Sequence, residues 1–170
     1  MTKTKRVAII MGSKTDLKVM SAAAEMLEEF KIPYHIEVVS AHRTPEKMFE
    51  FARLAHERFS VIIAGAGGAA HLPGMVACLT TLPVIGVPVQ LGTLKGMDAL
   101  LSVVQMPKGI PVATVAIDNA ANAGLLAARL IGMNDPKVQK KLQKFQDSQK
   151  KKVAAMNRDL RASKKIKTKK

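Results

Sequence analysis

The chain has 170 residues, 48% of them hydrophobic and 24% charged, which is enough for one domain with a real core and too apolar for a disordered or fibrous chain. Lys and Arg number 27 against 13 Asp and Glu, a formal charge of +14, which taken whole points toward nucleic acid or an acidic surface. Its distribution excludes that for the body of the chain: residues 1–132 hold 13 basic and 10 acidic residues, a net of +3, while 133–170 hold 14 against 3, a net of +11. With aromatics at only 4%, the near-balanced part also lacks rings to stack on bases, and a general nucleic-acid-binding domain is not expected.

The start of the chain is basic, but the apolar run behind it, 7–11, is too short for the hydrophobic region of a secretion signal. No stretch reaches the roughly 20 apolar residues of a membrane span. The single cysteine, Cys78, lies in an apolar stretch and is read as a small buried residue in a reducing compartment. A soluble, cytoplasmic protein is expected.

Short Val- and Ile-rich runs at 7–11, 34–39, 61–66, 84–87 and 112–116 read as strands buried on both faces of a parallel sheet. Amphipathic stretches at 16–30, 45–58, 73–81, 97–105 and 119–131 alternate with them as helices. This β-α-β-α series predicts right-handed crossovers and a three-layer α/β sandwich with a doubly wound, flavodoxin-like parallel sheet. Beyond Gly132, Val138, Leu142, Phe145, Val153, Met156 and Leu160 fall on one helical stripe amid Lys, Gln and Arg. The expected organisation is an α/β catalytic domain over 1–132, a long amphipathic helix over 133–162 packed on its own subunit or a neighbour, and a basic, disordered tip over 163–170.

In such folds ligands bind beyond the carboxyl ends of the strands, where strand order reverses. The residues after the first run, Gly12-Ser13-Lys14-Thr15-Asp16, join a strand to a helix. Their N–H and hydroxyl groups can hold a phosphate, or Ser13, Thr15 or Asp16 can simply cap the helix. After the second run comes Ser40-Ala41-His42-Arg43-Thr44, in which Arg43 can grip phosphate bidentately and His42 can shuttle a proton near neutral pH. The third run ends in Gly65-Ala66-Gly67-Gly68-Ala69-Ala70, a formal G-x-G-x-x-A match. It follows the third strand, not the first, and no acidic residue lies between Glu57 and Asp98 to hold a ribose. NAD binding is therefore rejected in favour of a loop that a small ligand approaches closely. His71, next in line, is either a second titrating group or a helix-start hydrogen bonder. His35 and His56 are assigned no chemistry. No metal-ligand spacing, P-loop or nucleophile-elbow motif is present.

Taken together, MGSKTD at 11–16, SAHRTP at 40–45, AGAGGAAHLPGM at 64–75, LPVIGVPV at 82–89 and LLSVVQMPKGIPVATVAI at 100–117 make the chain resemble the N5-carboxyaminoimidazole ribonucleotide mutases across about residues 6–132. The resemblance implies transfer of a carboxyl group from the exocyclic nitrogen of an imidazole ribonucleotide to ring carbon C4, without ATP, metal, biotin or any other cofactor. It implies His42 as the proton carrier, Ser13, Asp16 and Arg43 as nucleotide holders, and Gly12, Thr15, Ser40 and Ala41 beside them. The loop from Gly65 through Ala66, Gly67 and Gly68 to Ala70, with His71 and Leu72, would enclose carbon dioxide. It also implies a homo-octamer whose C-terminal helices reach across subunits. Thr15 stands where the family usually has Ser, Leu17 where Trp is common, and Ala99 where Ser is common. The rival readings are a carboxylase that adds free carbon dioxide to the aminoimidazole, a nonenzymatic nucleotide-binding module, and a basic nucleic-acid binder.

Overall fold

A computed structural model of the chain describes residues 6–167, with side chains described to residue 163. Five parallel strands, β1 Val7–Met11, β2 Tyr34–Val38, β3 Val61–Gly67, β4 Val84–Val89 and β5 Ala113–Thr114, form one sheet in the order β2-β1-β3-β4-β5. The helices are α1 Leu17–Glu29, α2 Pro45–Arg58, α3 Leu72–Ala77, α4 Met97–Val104, α5 Ala120–Gly132 and α6 Pro136–Lys167. The order 2-1-3-4-5 is the doubly wound, flavodoxin-like one, with its reversal between β1 and β3.

Period-two alternation sends β1 side chains to two different cores. Val7, Ile9 and Met11 join α1, α5 and the start of α6, where Met20, Ala23, Leu27, Ala123 and Ala127 are buried. Ala8 and Ile10 join α2, α3 and α4 through Met48, Ala52, Leu72, Val76 and Val103. The three central strands β1, β3 and β4 are buried along almost their whole length.

The edges depart from the expected two-face burial. On β2, Ile36 and Val38 stay 38% and 40% exposed, because this strand has a neighbour on one side only. β5 pairs over just two residues rather than 112–116. The carbonyls of Gly86 and Pro88 both face that side, accepting from the N–H groups of Val115 and Asp118. Proline has no N–H to donate there, so the ladder loses a rung and ends.

Cys78 is exposed rather than buried. It follows α3, whose inward residues are Leu72, Pro73 and Val76, and two positions beyond Val76 a helical chain points the opposite way. α6 continues through residues 163–167, which the sequence assigns to the disordered tip, because that run, Ser-Lys-Lys-Ile-Lys, is Lys-rich and has no Gly or Pro to stop a helix. Residues 168–170 of that tip lie outside the described ones. The first turns of α6 bury Val138 and Leu142 and set Phe145 edge-on to Phe30 at 5.7 Å. Lys141 Nζ donates to the Phe30 carbonyl at 2.6 Å, closing the end of α1. Val153, Met156 and Leu160 are then more than half exposed. Among the described residues no helix is long and apolar enough to cross a membrane.

Candidate active site

Three loops meet at the carboxyl ends of β1, β2 and β3, beside the strand-order reversal. After β1, Ser13 is extended (φ −152°, ψ 156°) and opens a single 3-10 turn, Lys14–Asp16. Its hydroxyl accepts the Thr15 N–H at 3.4 Å, while Asp16 Oδ2 accepts the Ser13 N–H at 3.0 Å. The Thr15 hydroxyl donates to Asp16 Oδ1 at 3.3 Å. Capping is thus real here, and it leaves the Ser13 hydroxyl proton available to a ligand while committing the Ser13 amide. Asp16 is the buried charged side chain of the described residues, 7% exposed. Burial pushes its pKa up, opposed by the Ser13 amide, the Thr15 hydroxyl and the charges of Arg43 and Lys18.

After β2 the chain turns sharply, with the Thr44 N–H and hydroxyl both donating to the Ser40 carbonyl at 3.0 and 3.1 Å. Ser40 Oγ in turn accepts from the Arg43 backbone N–H at 3.3 Å and from Arg43 Nε at 3.2 Å. Arg43 Nη2 donates to the Gly12 carbonyl at 2.7 Å. The guanidinium therefore bridges the first two loops, and these contacts use two of its five N–H groups. Its remaining donors can meet an oxyanion at a fixed place.

At the end of β3 the glycines divide by role. A Cβ on Gly65 would collide with the Met20 thioether of α1, and one on Gly67 would stand 2.9 Å from the Val89 carbonyl. These positions let a helix and a strand approach. Gly68 takes a left-handed φ of +64° and turns the chain. Of the predicted loop, Ala66, Gly67, His71 and Leu72 line the cavity, whereas Gly65 and Gly68 do not.

His71 stands at the start of α3 but makes no side-chain cap. Its Nδ1 instead lies 2.8 Å from His42 Nε2, with the rings 82° apart in plane and 5.0 Å between centroids. One of these nitrogens must carry the proton and the other accept it. Any proton that His42 delivers from Nε2 therefore comes at the expense of this hydrogen bond.

The loops enclose a cavity of about 360 Å³. The structure brings to it Gly12, Ser13, Thr15 and Asp16 from the first loop, and Ser40, Ala41, His42 and Arg43 from the second. Ala69, within the predicted Gly65–Ala70 loop, and Leu91 also line it; sequence reasoning missed Leu91, which lies outside the three loops it singled out. Leu91 lies two residues beyond the end of β4, so its place just past a strand end was the one available signal. His35 and His56 lie elsewhere, the first against Glu37 Oε2 at 3.0 Å and the second against the Arg53 carbonyl at 2.8 Å. Among the described residues no three His, Cys, Asp or Glu side chains cluster as metal ligands would.

The family model for AIR carboxylase matches residues 6–152. The N5-carboxyaminoimidazole ribonucleotide mutase of Thermotoga maritima is 62% identical over 149 residues, covering 87% of each chain. That of Mycobacterium tuberculosis is 60% identical over 156 residues, 91% of this chain and 90% of its own. The chloroplastic phosphoribosylaminoimidazole carboxylase of Vigna aconitifolia is also 60% identical, but the 148 matched residues make up only 27% of that longer protein. The crystal structure of Treponema denticola PurE superposes with a TM-score of 0.84 at 29% identity, covering 92% of this chain and 98% of that one. The fold, the site and these matches agree, and the chain belongs to the AIR carboxylase family.

Proposed function

We propose that the protein is an N5-carboxyaminoimidazole ribonucleotide mutase, an isomerase of purine biosynthesis that moves a carboxyl group from the exocyclic nitrogen of its substrate to C4 without ATP. The observation that carries this reading is the imidazole pair His42–His71, hydrogen-bonded at 2.8 Å in the same cavity as a braced guanidinium and a buried carboxylate.

Arg43 and the Ser13 hydroxyl hold the 5′-phosphate, and Asp16 accepts hydrogen bonds from the ribose hydroxyls. His42 then gives a proton to the exocyclic nitrogen as its bond to the carboxyl carbon breaks, leaving a free amine and carbon dioxide. The enamine-like C4 attacks that carbon dioxide, and His42 takes back the proton that C4 loses. One proton leaves and one returns, so the reaction is balanced without a co-reactant. Ala66, Gly67, Ala69 and Leu72 wall the small apolar space in which carbon dioxide must stay for recapture to beat escape.

The same reading makes the protein cytoplasmic and a homo-octamer. The outer stripe of α6, Val153, Met156 and Leu160, supports assembly because it is exposed in the single chain.

Supplying the carbamate substrate, or its parent amine with bicarbonate, separates mutase from carboxylase. Efficient turnover of the carbamate supports the proposal, and efficient turnover of the amine with bicarbonate alone would replace it with direct carboxylation.

A further inference from the structure

A second cavity of about 380 Å³ lies beside the candidate active site. It shares Ser13, Ser40 and Arg43 with the first cavity and adds Lys14, Val38, Thr44 and Lys47. Three cations and three hydroxyls thus face one cleft, and none of its described lining residues is acidic. Lys47 is not a loose surface lysine: its ammonium is braced by Glu37 Oε1 at 2.6 Å and donates to the Val38 carbonyl at 3.4 Å. His35 holds the other oxygen of Glu37 at 3.0 Å. An ammonium has three donors, so the bracing leaves one for the cleft. The transfer reaction uses neither Lys14 nor Lys47.

We propose that this cleft is a second oxyanion subsite, so that the protein binds ligands with two linked phosphoryl groups in competition with its substrate. The first phosphoryl group stands at the shared wall of Arg43 and Ser13, and the second reaches between Lys14 and Lys47. The inference rests on the proposed role of Arg43 and Ser13 as phosphate holders. Its consequence is inhibition by diphosphates, a regulatory property of the same site. Inorganic pyrophosphate and the diphosphate end of a nucleoside 5′-diphosphate both carry this chemistry.

Calorimetric titration of the full chain at low salt, where screening is weakest, tests the subsite without depending on turnover. The probes are inorganic phosphate, inorganic pyrophosphate, and adenosine 5′-mono- and diphosphate. Pyrophosphate should bind about tenfold tighter than phosphate, the gain of one charge-assisted contact. Lys14→Gln with Lys47→Gln should abolish that ratio while phosphate binding and kcat persist. Lys137→Gln with Lys140→Gln on α6, which removes the same charge elsewhere, should preserve it. Tighter binding of adenosine 5′-diphosphate than of pyrophosphate would identify a nucleotide as the ligand, and equal binding would identify the free diphosphate. Phosphate binding with no pyrophosphate advantage, or an advantage that survives Lys14→Gln with Lys47→Gln, overturns the second subsite alone. Failure of phosphate itself to bind overturns the role of Arg43 and Ser13 as well.

Discussion

At the carboxyl edge of the sheet a carboxylate, a guanidinium and two imidazoles share one cavity, and each is held by a named neighbour: Asp16 by Ser13 and Thr15, Arg43 by Ser40 and Gly12, His42 by His71. Along α6 the charges are more numerous, yet the ion pair among its described residues, Lys150–Asp147 at 3.0 Å, is between largely exposed groups and is worth little. Chemistry resides where few charges are fixed, not where many are displayed. The +14 total describes the second region and is silent about the first.

The largest expected contrast comes from the cavity. His42→Asn removes the proposed proton carrier from an exposed loop position, so kcat should fall about 10²- to 10⁴-fold with the melting temperature unchanged; steady-state kinetics and calorimetry read the two. Retention of kcat would show that the imidazole pair is not the proton shuttle.

Next comes a contrast within α6 itself. Leu142→Ala, in the docked turns, should lower the unfolding free energy by about 2–4 kcal/mol in a urea titration. Met156→Ser, on the exposed stripe, should change subunit unfolding by less than about 0.5 kcal/mol but reduce the assembled mass in sedimentation. Equal stability losses would mean that the stripe's two halves do the same job.

A smaller effect is expected at Asp16. Its pKa is raised in the folded chain by burial, so the stability linked to its proton is fully present below the unfolded carboxylate pKa and lost as pH rises through the folded value. Asp16→Asn should therefore raise the melting temperature at neutral pH, and the gain should vanish in acid, where the wild-type carboxyl is already neutral. Ribose binding should weaken in the same variant.

Glu37 gives the smallest effect, of opposite sign. Lys47 and then His35 lower its pKa, so its contribution is present above the unfolded carboxylate pKa and is lost as pH falls. At 30% side-chain exposure, Glu37→Gln should lower unfolding free energy by less than about 1 kcal/mol, and only above that range.

Much of this arrangement is legible in the order of residues alone. β1 and α2 occupy the predicted residues because local signals bound them: Gly12 follows an unbroken apolar run, and Pro45 sits at the first helical position. The convergence of three strand-end loops follows from the β-α order. What stays hidden depends on partners distant in sequence. β5 is cut short by Pro88 on another strand, and Cys78 is exposed because α3 ends facing outward. His71 bonds to a ring 29 residues away rather than capping its own helix. Gly65 reads as part of a ligand loop, but it is glycine because Met20 of α1 presses against it, a contact no loop motif encodes.

In the proposed reaction the cavity holds carbon dioxide between bond breaking at nitrogen and bond making at C4. Its most direct test is a single turnover of the carbamate substrate labelled with carbon-13 at the carboxyl group, run in excess unlabelled bicarbonate and read by mass spectrometry of the product. The product should keep the label. Product carrying unlabelled carboxyl from the first turnover would contradict it, because the carbon dioxide would then have come from solution.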